Sequence, residues 1–144
     1  MTNGITSCCS APAWTAAPAK YSDSIRPITK ANPAPQAVYQ TNRFGNFTYT
    51  IPGFTAGANY IVDLHFAETF WTAPGQRLFN VLINGKQVLT NYDIFASAGG
   101  EFIATVESFA VTADSTGTIT LQFVSGAADN PQVNGIEIGT GTTP

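Results

Sequence analysis

Residues 78–90 read LFNVLINGKQVLT. Asn84-Gly85 stands between two apolar runs, and both residue types tolerate the positive φ that a two-residue type I′ turn requires. The stretch therefore predicts a β-hairpin, and with it an antiparallel sheet. The same texture continues on either side. Upstream, in NYIVDLHFAE, Tyr60, Val62, Leu64 and Phe66 point one way and Ile61, Asp63 and His65 the other. In NFTYTI, Phe47, Tyr49 and Ile51 alternate with threonine, and Pro52-Gly53 ends the run. Both have the period of a half-buried strand. Downstream, EFIATVESFAVTA predicts one or two strands, TGTITLQFVSG alternates Ile119, Leu121 and Phe123, and VNGIEIG closes the series. The total is about eight strands with closely spaced turn signals, which predicts an all-β sandwich or jelly roll of two antiparallel sheets. No crossover helices and no internal repeat are evident, so a parallel sheet is excluded.

The composition fits that class. The chain has 144 residues, 44% hydrophobic and only 10% charged. Its length suits one domain with a sizeable core. An ordinary soluble domain is about 25% charged, so amides and hydroxyls must dominate this surface, and they suit neutral polar ligands. A net charge of -3 without a basic stripe argues against nucleic acid. No apolar run reaches the length of a membrane span.

Residues 1–30 are rich in Ala, Pro, Ser and Thr and predict an irregular N-terminal segment; residues 31–139 carry the domain, and 140–144 begin a Gly/Thr/Pro linker. The start MTNGITSCCSAPAW lacks the basic and apolar regions of a signal peptide. Together with the linker-like tail, this suggests a secreted module of a longer exported protein. Adjacent Cys8 and Cys9 can staple nothing distant.

Catalytic constellations are absent. His65 is the single histidine, it sits mid-strand, and neither Ser108 nor Ser125 stands in a nucleophile elbow. A structural or solvent-facing role is expected for it. Asp63, Glu68, Asp93, Glu101, Glu107, Asp129 and Glu137 supply carboxylates, but nothing in the spacing pairs them about a sugar bond. No phosphate loop or metal motif appears and no cofactor is expected; a structural calcium held by Asp and carbonyl oxygens on a loop is left open without a signature.

What stands out is aromatic residues away from core positions. Phe70 and Trp71 are consecutive, so in an extended segment they cannot both face inward, and Pro74-Gly75 announces a loop around them. Phe44 precedes Gly45 at another turn. Pyranose C–H faces stack on aromatic rings, while Asp, Asn and Gln hydrogen-bond the hydroxyls. The alternative is that these rings merely cap the end of the sandwich.

Four segments, NPAPQAVYQTNRFGNFTYTIP, LHFAETFW, RLFNVLINGKQVLTNYDIF and ADNPQVNGIEI, resemble in that order the malectin family, in the form of its bacterial carbohydrate-binding modules. The resemblance runs from Asn32 to Ile138. It implies a jelly-roll-like β-sandwich with a sugar site on loops at one end, where aromatics and an aspartate meet the ligand. Carried over by motif, these are Phe44 of YQTNRF, Phe70 and Trp71 after FAE, and Asp129 of ADNP. Tyr21 corresponds to a further tyrosine when a gap is allowed, and Glu68 and Asn130 are adjacent polar candidates. Two positions that are tyrosine in the family are Phe44 and Phe70 here, which keeps stacking and loses a hydroxyl at each. Ala127 and Ala128 stand where the family has aromatics, so disaccharide specificity does not transfer. The family's opening strand, with its Asn-Ala-Gly-Gly-like run, is not found in residues 1–30. Its absence would open a sheet edge and invite dimerisation by strand pairing. The resemblance implies a non-catalytic module for glucose-containing oligo- or polysaccharides of glucan type. The alternatives are a structural or adhesion module without sugar binding and, behind it, a small glycan-active hydrolase.

Overall fold

The computed structural model describes residues 34–140 throughout and, of the N-terminal segment, the backbone of Thr6–Ser10 and Arg26–Pro27. In chain order the elements are β1 (Thr6–Ser10), β2 (Arg26–Pro27), α1 (Gln36–Tyr39), β3 (Arg43–Phe44), β4 (Phe47–Ile51), β5 (Asn59–Ala67), β6 (Leu78–Ile83), β7 (Lys86–Tyr92), α2 (Ile94–Ala98), β8 (Ile103–Thr112), β9 (Ile119–Ala128), β10 (Gln132–Val133) and β11 (Gly135–Gly139). They form a five-stranded sheet in the order β1-β11-β5-β8-β2, a four-stranded sheet β4-β9-β6-β7 and a short β10-β3 ribbon. All pairings are antiparallel except the two-residue contact of β2 with β8.

The alternation read from sequence sets the core. Tyr60, Val62, Leu64 and Phe66 of β5 and Ile136 and Ile138 of β11 come from one sheet. They pack with Phe47, Phe79, Val81, Ile83, Ile119, Leu121 and Phe123 of the other. The expected hairpin is present: Asn84 and Gly85 have φ of 49° and 79°. The Asn84 amide then ties the turn to both sheets. Its Nδ2 donates to the Thr112 carbonyl at 2.8 Å and its Oδ1 accepts from the Thr120 N–H at 2.8 Å.

The run at 101–113, expected as one or two strands, gives one, β8. Two details depart from the sequence reading. Two short helices interrupt the all-strand pattern. Asp93 starts α2, its side chain accepting from the Ala96 N–H at 3.0 Å, which satisfies one of the free donors of the first turn. Residues 1–30, expected to be irregular, supply backbone to both edges of the larger sheet. β1 lies along β11, with a register shift between Ser7 and Cys9, so the sheet edge proposed for dimerisation is already occupied. The outer β5 face is covered at one end, so His65 takes the structural one of its two expected roles. His65 is buried, its Nδ1 3.0 Å from the Tyr39 hydroxyl of α1, and that hydroxyl also accepts from the Ala34 N–H at 3.2 Å. Burial pushes the His65 imidazole below its ordinary value and the Tyr39 phenol above its own.

Strand β9 carries an irregularity that matters for the site. Its register against β6 jumps from Phe79↔Ser125 to Leu78↔Ala128, which leaves Gly126 and Ala127 bulged. A bulge bends its strand and re-aims the chain beyond it, here the turn that bears Asp129. Gly126 is the close-approach point: a Cβ there would lie 2.5 Å from the Leu78 carbonyl oxygen and 2.5 Å from Asn91 Oδ1. Gly126→Ala is expected to cost about 1–3 kcal/mol through this overpacking, measured as a lowered urea midpoint.

Candidate functional site

The two core-facing rows do not stop at the ends of their strands. In β5 the row Tyr60, Val62, Leu64, Phe66 continues in phase to Glu68, and in β6 the row Ile83, Val81, Phe79 continues back to Arg77. Both charged side chains are therefore carried under the end of the sandwich, where Glu68 is 1% and Arg77 3% exposed. Buried charges require partners and hydrogen bonds. Arg77 Nε donates to Glu68 Oε2 at 2.7 Å, and Nη2 approaches Oε1 at 3.4 Å. Arg77 Nη1 donates to the Asn130 carbonyl at 2.7 Å and pairs with Asp129 Oδ2 at 3.2 Å.

This buried pair holds three loops. Glu68 Oε1 accepts from the backbone N–H groups of Phe70 and Trp71 at 3.1 and 3.2 Å, which turns the chain so that the two rings leave the sheet together. They meet edge to face, with centroids 4.8 Å apart and planes at 86°. Farther along this loop, the Gly75 N–H donates to Asp93 Oδ2 at 2.6 Å, which fastens it to the start of α2. Asp129 sits in the left-handed region at φ 54°, which Asp tolerates better than most residues. It accepts from Trp71 Nε1 at 2.6 Å. Phe44 is brought alongside by the ribbon: β3 pairs Phe44 with Gln132 of β10, and the Gly45 N–H donates to the Pro131 carbonyl at 3.0 Å. The Phe44 ring then stands 5.5 Å from the Arg77 guanidinium carbon, within cation–π range.

Phe44 and Phe70, at 46% and 65%, are the large hydrophobic side chains left exposed among the described residues. They flank half-buried Trp71 and an Asp129 side chain that is 21% exposed. Five of the expected residues, Phe44, Phe70, Trp71, Asp129 and Asn130, thus gather around Arg77 from separate loops. Asn130 is half-buried, its Oδ1 3.4 Å from the Ser125 hydroxyl. Glu68 requires a correction. It was expected to meet ligand hydroxyls, but its carboxylate lies beneath the rings and is engaged by Arg77 and two amides. Tyr21 lies outside the described residues.

Arg77 was missed. The signal was present, since an arginine in phase with Phe79, Val81 and Ile83 must be buried and must find a carboxylate. Glu68 and Asp129 converge on this one guanidinium, so they are an internal charge network and not two carboxylates facing a cleft. Among the described residues, no group of three or more His, Cys, Asp or Glu could hold a metal ion, and no helix is long and apolar enough to cross a membrane.

The Malectin domain family matches residues 13–136. Malectin-B of Xenopus laevis is 33% identical over 129 residues, covering 81% of this chain and 46% of that protein. Human malectin is likewise 33% identical over 129 residues, covering 81% of this chain and 44% of its own. The chain therefore spans less than half the length of these relatives. Among solved structures, the ANX1 ectodomain from Arabidopsis thaliana superposes with a TM-score of 0.75 at 23% identity, over 96% of this chain and 41% of that one, a likeness of fold. Malectin domains are lectin-type and non-catalytic. With a match that covers most of its length and relatives a third identical across it, the chain belongs to the malectin family.

Proposed function

We propose that this domain is a carbohydrate-binding module that takes a glucose-containing oligo- or polysaccharide at the end of the sandwich formed by Phe44, Phe70, Trp71 and Asp129. The observation that carries the reading is the pair of exposed rings, Phe44 and Phe70, standing beside the Trp71–Asp129 hydrogen bond. An apolar ring is left in water at a cost unless something covers it, and a pyranose supplies the C–H face for the ring and the hydroxyls for the carboxylate. Phe70 and Trp71 form two walls at right angles, Phe44 is a third surface, and Asp129 and Asn130 provide polar contacts. Membership of a lectin-type family supports the same reading. An open site of this kind gives affinities in the micromolar to millimolar range.

Phe70→Ala tests it. The ring is mostly in solvent, so its loss is expected to leave the melting temperature within about 2 °C of the wild type. Calorimetry with glucose oligomers should show affinity reduced roughly tenfold, about 1.4 kcal/mol. Undiminished affinity would move the site elsewhere. Failure of the wild type to be retarded in gels containing any of a panel of soluble glucans, mannans and xylans would favour a structural or adhesion role.

Recognition is proposed to need no metal, because side chains and backbone already engage the network at Arg77. Retardation should be the same in EDTA as in calcium. We also propose that the module works outside the cell as part of a larger modular protein, a setting supported by its likeness in fold to plant receptor ectodomains.

A further inference from the structure

We propose that the buried Glu68–Arg77 pair makes the site select neutral glycans over acidic ones, with Arg77 as the positioning residue for Asp129. This inference rests on the sugar-binding reading above and adds a ligand class to it.

The cation at the site points inward. Arg77 is 3% exposed. Its guanidinium faces Glu68 through Nε and Nη2, and Asp129 and the Asn130 carbonyl through Nη1. A ligand carboxylate or sulfate would therefore find no bidentate fork to meet. Of the other described cations, Arg43 precedes Phe44 in β3 but has its guanidinium engaged by other rings, over Phe47 and Tyr49 at 4.6 and 4.7 Å. Lys86 opens β7 at the hairpin. Two carboxylates and one guanidinium leave the cluster with a formal charge of minus one, and Asp129 carries that charge toward the exposed rings.

Asp129 is also half-committed. Its Oδ2 receives both Trp71 Nε1 at 2.6 Å and Arg77 Nη1 at 3.2 Å. Among the described residues Oδ1 has no such partner, and it remains an acceptor in a fixed direction. A fixed carboxylate acceptor between aromatic walls suits a hydroxyl that donates, and it repels a uronic carboxylate at the same place. Arg77 achieves this indirectly: it turns Asp129 by holding one oxygen, and it seats the Asn130 carbonyl. Glu68 completes the device by holding Arg77 and, through Oε1, the backbone of both rings.

The test compares one glucan with its own oxidised form, in which C6 hydroxymethyl groups are carboxylates. The glucan is whichever soluble member of an α- and β-linked panel retards the chain most. By calorimetry at low salt, the wild type should bind the oxidised form at least tenfold more weakly. The gap should shrink as salt is raised, since exposed charges are screened. Asp129→Asn keeps a residue compatible with the left-handed turn and removes the charge. It should weaken neutral binding several-fold and bring the two ligands to within about threefold of each other.

The positioning role has its own readout. In a Glu68→Gln/Arg77→Met background, which removes the two most deeply buried charges together, neutral binding should fall about tenfold, and adding Asp129→Asn should cost nothing more. Additive losses would remove Arg77 from the role of positioning Asp129. Equal wild-type affinity for both glucans would overturn the selectivity while leaving sugar binding intact. Absence of any Phe70-dependent binding to neutral glucans would instead overturn the underlying reading. If the double background does not fold, Arg77→Lys takes its place, since it keeps the charge and loses the fork that reaches Glu68, Asp129 and the Asn130 carbonyl together. A several-fold loss of neutral binding that is not additive with Asp129→Asn supports the positioning role, and unchanged binding overturns it.

Discussion

Arg77→Ala is expected to destabilise the domain by about 3–5 kcal/mol, the usual consequence of removing one member of a buried ion pair. Glu68 would be left with two backbone N–H donors and no counter-charge at 1% exposure. Asp129 and the Asn130 carbonyl would lose their shared donor at the same moment. Domains of this size are stable by about 5–15 kcal/mol in total, so the variant would lie near the threshold of folding. Urea denaturation should show a lower midpoint with an unchanged slope. The diagnostic comparison is Glu68→Gln/Arg77→Met, which exchanges charge for neutral groups of similar length. It should recover most of the loss, since breaking a buried pair is more destabilising than replacing it. If Arg77→Ala melts with the wild type, the guanidinium is not holding the loops together.

Trp71→Ala is expected to lower affinity for glucose oligomers about a hundredfold, about 2.7 kcal/mol, the scale of a binding hot spot. Two contributions combine. The indole is one wall of the site, and its Nε1 holds Asp129 Oδ2 at 2.6 Å. Trp71→Phe separates them, since it keeps a ring and drops the donor. Its expected loss is about tenfold, in line with a hydrogen bond to a charged group. Near-ultraviolet circular dichroism should change in both variants while the far-ultraviolet spectrum does not. Equal affinities for Trp71→Phe and the wild type would mean that Asp129 is held by Arg77 alone.

The sheets were legible because side-chain period and burial coincide. Val62, Leu64 and Phe66 of β5, and Phe79, Val81 and Ile83 of β6, are core residues in the phase that the sequence dictates. Asn84-Gly85 fixed the hairpin through backbone conformation alone. The helix α2 was hidden because IFASA is too short to show a helical period, and only the Asp93 cap separates it from β7. β1 was hidden for a different reason. TSCCS has no alternation of its own, and it is a strand because β11 offers it a ladder. His65 on the outer β5 face is buried by α1, which lies 26 residues earlier in the chain at Tyr39. That burial is tertiary and leaves no local trace.

The site divides in the same way. Phe70 and Trp71 could be singled out because two consecutive rings in an extended chain cannot both enter the core; in the structure the chain turns there and both leave the sheet, meeting edge to face at 4.8 Å. Phe44 stood out as a ring before Gly45 at a turn, Asp129 came from motif resemblance, and no local pattern would have brought the two together. Arg77 and Glu68 obeyed the strand phase, but their charges suggested surface positions. A charged residue in phase with a core row is a sign of a buried network, and here the network underlies the whole site.

The left-handed turn at Asp129, φ 54°, has a consequence for how such a domain can diverge. Few residues other than Asp, Asn and Gly adopt that backbone at small cost. Drift at this position is confined to a narrow choice, and each change alters the charge that the ligand meets. The rings at Phe44 and Phe70 carry no such restriction, since they stand largely in water and the core does not lean on them. If the proposed site is the sugar site, lineages can exchange one sugar preference for another by swapping rings on a constant frame. The acid in the turn marks where that freedom ends.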